Sequence, residues 1–86
     1  MAIYGNSSPS EGSTSGTVTI TFPWRALRII ITNDSAIRDL EFKFNSSESY
    51  ATLKPTETIS LDLHARTVLL NSPSSGSVAY RVWGYG

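Results

Sequence analysis

The side chains best equipped for catalysis are few, and they do not assemble into a recognisable pattern. The 86-residue chain has a single histidine, His64, and no cysteine. A serine hydrolase needs a serine, a histidine and an acid converging on one point. Serine occurs 14 times, yet no Gly-x-Ser-x-Gly elbow is present. The acids Asp34, Asp39, Glu41, Glu48, Glu57 and Asp62 are scattered. Asp39 and Glu41 stand two apart and share the face of any strand that holds them, but a glycosidase pair must flank a cleft. A domain this small has little volume to wall one, so these acids read as solvating charges. No phosphate-cradling glycine loop, EF-hand loop or zinc spacing occurs. The sequence predicts a non-enzyme with no catalytic residue, no metal ligand set and no cofactor. Asn6, Asn33 and Asn45 each begin an Asn-x-Ser triplet. These would accept glycans in a secreted protein, but coincidence explains them in so serine-rich a chain.

Side chains suited to binding are more informative. In Val78–Tyr85, Val78, Tyr80, Val82 and Gly84 share one face and Ala79, Arg81, Trp83 and Tyr85 the other. If the valines face the core, Arg81, Trp83 and Tyr85 form an outward stripe of the three residue types most enriched at binding hot spots. Ile30, and one of Val68 or Leu69, also fall on a face that should be polar. Trp24 and Arg25 follow Pro23 at a bend, and Ile3 and Tyr4 stand near the start where polar residues are usual. Three readings are open. A bulge can flip the phase and make Trp83 core. Exposed apolar residues can be scattered singly without meaning. Or these residues form a contact surface. As a surface, Trp24, Trp83 and Tyr85 suit either a protein partner or a sugar.

The elements positioning these residues are strands. Thr17–Phe22 alternates Val18, Ile20 and Phe22 with threonines, a period of two in β-prone residues. Pro23 interrupts it. Leu27–Thr32, Ile37–Phe44, Tyr50–Leu53, Glu57–Leu63, Arg66–Asn71 and Val78–Trp83 follow, parted by turn residues such as Asn33-Asp34-Ser35. No segment carries a 3.6-residue stripe. About seven short strands at regular spacing predict an all-β fold, a small antiparallel β-sandwich, Ig-like or jelly-roll-like. Residues 5–16 are almost wholly Gly, Ser, Thr, Asn and Pro. They read as a flexible linker, so residues 1–16 are expected to be an N-terminal arm and 17–86 one β-sandwich domain. The tip of that arm either hangs free or docks Ile3 and Tyr4 on a neighbour.

Charge narrows the partners. Seven Lys and Arg balance seven Asp and Glu, which argues against phosphate neutralisation on nucleic acid and polybasic attachment to a membrane. No apolar run approaches the length of a membrane helix. The start lacks the pattern of a signal peptide, and the absence of cysteine favours assembly in a reducing cell.

The segment ending Ile31-Thr32-Asn33, the run Tyr50-Ala51-Thr52-Leu53-Lys54-Pro55-Thr56-Glu57, and the terminal Tyr80-Arg81-Val82-Trp83-Gly84-Tyr85-Gly86 resemble small β-sandwich structural proteins of tailed bacteriophages. The resemblance covers about two-thirds of the chain. In the usual Leu-x-Pro-x-Glu run a glycine precedes the glutamate. Thr56 stands there instead, which argues against a tight positive-φ turn. The resemblance implies a head decoration (cement) protein of the virion, assembled in the host cytoplasm. Its partner would be the major capsid protein or another virion protein. The implied mechanism is adhesive: Ile3, Tyr4, Trp24, Arg25, Ile30, Arg81, Trp83 and Tyr85 bury area against the shell or a sister copy. A homo-oligomer, with a trimer at threefold points, fits that role. The competing expectation is a glycan-binding or adhesion module of a phage fibre or bacterial surface protein.

Overall fold

The computed structural model describes residues 7–45, 47–73 and 76–85. Eight strands form two four-stranded antiparallel sheets, with no helix among the described residues. The strands are β1 (Ser7–Thr14), β2 (Thr17–Ala26), β3 (Arg28–Asn33), β4 (Leu40–Lys43), β5 (Ala51–Leu53), β6 (Thr58–Leu61), β7 (Ala65–Asn71) and β8 (Val78–Tyr85). One sheet runs β1-β8-β3-β6 and the other β2-β7-β4-β5. Strands of odd and even rank interleave from first to last, which is the jelly-roll arrangement rather than the immunoglobulin one.

The period-two patterns decide what is buried. Ile29, Ile31, Val78, Tyr80 and Val82 of the first sheet face Phe22, Ala26, Leu40, Phe42, Val68 and Leu70 of the second. Gly84 lies in the inward row of β8, and a Cβ there would stand 2.8–2.9 Å from the Phe22 ring. The glycine leaves room for that ring.

Several expectations need correction. Residues 7–14 of the expected arm form β1, paired antiparallel with β8 from Ser7↔Tyr85 to Thr14↔Val78. An edge strand is held by backbone hydrogen bonds and does not need apolar side chains, so its composition imitates a linker. Ile3 and Tyr4 lie outside the described residues. Pro23 does not end its strand. The β2–β7 register shifts between Thr21 and Ala26, and a proline without an N–H is accommodated in that irregular stretch. Leu27, expected to begin the strand Leu27–Thr32, is exposed between β2 and β3, and Ile37, expected in a strand, is 75% exposed in the loop before β4. That loop takes its shape from Asn33, which is fully buried at the end of β3. Its Nδ2 donates to the carbonyls of Arg38 (2.8 Å) and Leu53 (2.9 Å), and its Oδ1 accepts from the Ser35 N–H (2.9 Å). Asn33 is therefore a structural pin rather than a glycan acceptor. Thr56 does adopt positive φ, at 66°. The Glu57 N–H donates to the Lys54 carbonyl at 3.1 Å, and the Glu57 carboxylate accepts from the Lys54 N–H at 2.7 Å. The tight turn forms without the glycine.

Candidate functional site

The outer face of the β1-β8-β3-β6 sheet gathers most of the residues singled out above. Antiparallel pairing sets Arg28 beside Tyr85, Ile30 beside Trp83 and Thr32 beside Arg81. With the even-numbered residues of β8 buried, Arg81, Trp83 and Tyr85 point outward. The Trp83 and Tyr85 rings stack with centroids 6.0 Å apart at 14°, and Trp83 is 36% exposed. Ile30, half-buried, sits between Trp83 on one side and Ser60 on the other. Two ion pairs bracket this apolar strip. The Arg28 Nε donates to Asp62 at 2.7 Å. At the opposite end Arg81 holds Asp34 with two bonds, of 2.8 and 2.9 Å. A bidentate pair of this kind fixes both side chains.

Trp24 does not join them. It lies on the core side of β2, in the same row as Phe22 and Ala26, and stacks on Phe22 at 6.3 Å. The expected platform of Trp24, Trp83 and Tyr85 is thus divided between inside and outside. Because the strand continues through Pro23, the alternation that buries Phe22 also turns Trp24 inward.

Arg25 lies at a second site, an open cleft of about 650 Å³ at the end of the sandwich. Its walls come from the end of β2, the end of β4 and the β6–β7 connection: Arg25, Phe44, Glu48, Leu63, His64 and Arg66 are among them. Phe44 and Leu63 pack against the core and offer an apolar surface. Arg66 is held in place, its Nε donating to the Phe22 carbonyl at 3.0 Å and its Nη2 to that of Pro23 at 3.3 Å. Glu48 turns one carboxylate oxygen onto the N–H groups of Phe44 and Asn45, at 2.9 and 3.2 Å. The cleft therefore combines an apolar wall, two guanidinium groups and an imidazole, with its one carboxylate engaged by the β4 turn. It can hold an anion through charge-assisted hydrogen bonds. Among the described residues no group of three or more His, Cys, Asp or Glu side chains converges to hold a metal ion.

Reading the sequence singled out Arg25 here, though for an adhesive role, and set aside His64 as a lone histidine. It missed Phe44, Leu63 and Arg66 as site residues. No local signal unites them, since they come from three strand ends that only the jelly-roll crossing brings together.

No protein-family model and no curated protein matches the chain. Solved structures do. A cupin superfamily protein from Desulfitobacterium hafniense aligns over 99% of this chain and 72% of its own, at 9% identity with a TM-score of 0.63. The Cupin_2 domain of an XRE family transcriptional regulator from Enterobacter cloacae aligns over 91% and 81%, at 16% identity and a TM-score of 0.62. A de novo designed double-stranded β-helix aligns over 91% and 96%, at 13% identity and a TM-score of 0.56. The expected function, a capsid-decorating virion protein or an adhesion module of a phage fibre or bacterial surface protein, is corrected by these likenesses. The phage resemblance rested on strand and turn motifs that any small jelly roll needs. At these identities the likenesses establish the fold, which is an all-β double-stranded β-helix of the cupin kind.

Proposed function

We propose that the chain is a small-molecule-binding module, not an enzyme, and that the cleft at the end of the sandwich takes a small organic anion. The observation that carries this reading is the placement of Arg25, His64 and Arg66 around the apolar wall of Phe44 and Leu63. Ligand sites favour the mouths of β-barrels and join apolar surface to a few convergent polar groups. A carboxylate with an apolar body suits both halves, its charge against the arginines and its body against Phe44. The occurrence of the same fold as a domain of a transcriptional regulator supports a module that binds and responds without turning its ligand over.

The test is a titration of the isotope-labelled chain with benzoate and hexanoate, followed by the amide signals of Phe44, His64, Arg66 and Thr67, with benzyl alcohol as the neutral control. Both carboxylates shift those signals saturably and the alcohol shifts them far less. Arg25→Ala weakens carboxylate binding about tenfold, the loss of roughly 1.4 kcal/mol expected for a charged contact at a partly open site. Equal response to acid and alcohol, or no saturable shift at the cleft, refutes the reading.

A further inference from the structure

The outer face of the β1-β8-β3-β6 sheet is remote in kind from the cleft, and nothing in the proposed ligand binding uses it. We infer that this face is the contact surface between two copies of the chain, which associate face to face about a twofold axis parallel to the strands and lying between β3 and β8.

The argument begins from register. A twofold contact is isologous: each residue meets a partner residue that it matches in return. An axis between β3 and β8 exchanges these strands, so each β8 lies over the other copy's β3. The observed pairing of Arg28 with Tyr85, Ile30 with Trp83 and Thr32 with Arg81 then repeats between the copies. Trp83 of each covers Ile30 of the other, and Tyr85 of each covers Arg28. The first is an apolar contact at the centre of the patch. The second places a guanidinium over an aromatic ring, a favourable arrangement for arginine.

Charge agrees with this occupant. The strip is bordered by Arg28 with Asp62 and by Arg81 with Asp34, so each of these four charges meets a second copy already paired. Under the proposed axis Arg81 lies over Thr32 and Arg28 over Tyr85, so neither arginine meets another. A strongly charged partner finds no complementary excess here. Size agrees as well. The molecule measures 39 × 27 × 17 Å. Its broad faces are large enough for the about 800 Å² per partner of a standard interface. Two such sheets stack about 10 Å apart with strands nearly aligned, which keeps the Trp83–Ile30 contact central despite the twist.

The experiment is sedimentation of the full chain from micromolar to millimolar concentration, with Trp83→Glu and, on the opposite sheet, Thr19→Glu. Thermal melting confirms that both variants fold, as exposed positions allow. The wild-type mass doubles as concentration rises. Trp83→Glu raises the dissociation constant about a hundredfold, as loss of a central aromatic anchor does, and Thr19→Glu leaves it unchanged. A second measurement fixes the axis. Because the chain has no cysteine, Ile30→Cys mixed with Trp83→Cys forms mainly the mixed disulfide on oxidation, in excess over either self-linked pair. Three results overturn the inference: a chain monomeric at millimolar concentration, equal loss in the Thr19 and Trp83 variants, or self-linked pairs that dominate. The first would leave the face to an occupant of other chemistry.

Discussion

On the outer face of β2-β7-β4-β5, three strands are joined by polar side chains. The Thr17 hydroxyl donates to the side-chain Oδ1 of Asn71 at 3.1 Å, and the Nδ2 of the same amide donates to Glu41 at 2.7 Å. Thr19 and Thr21 are exposed beside them. On the outer face of β1-β8-β3-β6 the central positions hold Ile30, Trp83 and Tyr85, bordered by two ion pairs and by the hydroxyl bond of Thr32 with Thr58 at 2.9 Å, whereas the apolar residue at the centre of the other face is the half-buried Leu69, between Thr19 and Lys43. Both sheets obey the same inward alternation, and both contribute fully buried side chains to one core. Folding thus constrains the inner rows and leaves the outer rows largely free. A threonine and asparagine network satisfies itself and solvent. The stacked rings of Trp83 and Tyr85 leave apolar area facing outward, and on that area the inferred contact between copies rests.

If the two inner faces are equivalent, truncation in either has the same consequence. Ile31→Ala and Leu70→Ala each destabilise by about 2–5 kcal/mol, the range for a fully buried aliphatic side chain. Urea unfolding monitored by tryptophan fluorescence measures both. A near-neutral result in one sheet alone would show that the core is not shared and would break the comparison at its base.

A smaller effect tests how the sheets are tied together. Asn33 ends β3 in one sheet while its amide reaches the Leu53 carbonyl of β5 in the other. Asn33→Ala leaves the Arg38 and Leu53 carbonyls without these donors, and a loss of about 2–3 kcal/mol is expected from buried acceptors left unpaired. Faster amide exchange at Ser35 and Thr56 should accompany it, because Ser35 donates to Asn33 and accepts from the Thr56 N–H. Unchanged melting and exchange would mean that the loop holds itself without the pin.

Within β8 a small enlargement of the side chain separates the faces. Gly84→Ala drives a methyl group into the Phe22 ring and costs about 1–3 kcal/mol, as overpacking does. Ala79→Val, on the outward row of the same strand, stays within about 0.5 kcal/mol of wild type. Thermal melting of the pair decides it. If the two variants behave alike, inner and outer rows of this strand are not distinguished by packing.

The contrast also explains what could be read from the chain alone. Alternation in Thr17–Phe22, Ile37–Phe44 and Val78–Trp83 gave the sandwich and most of its core, because period-two burial is a local property, although Ile37 itself lies in a loop. The same parity placed Trp83 and Tyr85 outside. Trp24 was misplaced because proline was read as a break, whereas the β2–β7 irregularity absorbs it. β1 was hidden because its pairing with β8 is a backbone matter that serine and glycine do not advertise. The cleft was illegible for a deeper reason. Arg25, Phe44 and His64 are far apart in sequence, and only the order of strands places them together.

The smallest effect concerns the turn Lys54–Glu57, where the chain passes from β5 in one sheet to β6 in the other. Thr56 holds φ at 66°, a region in which a β-branched side chain is strained by about 1–2 kcal/mol. Glycine removes that strain, but it also enlarges the conformational freedom of the unfolded chain by about 0.5–1 kcal/mol. Relief exceeds loss, so Thr56→Gly stabilises by about 0.5–1 kcal/mol. The turn's own bonds are untouched, since they run between the backbone of Lys54 and Glu57 and from the Lys54 N–H to the Glu57 carboxylate. Thr56→Val keeps the branch at Cβ and does not stabilise. Paired urea curves for the two variants therefore separate backbone strain from side-chain polarity. Equal curves would show that the crossing between sheets is unstrained, and that its left-handed residue is tolerated without penalty.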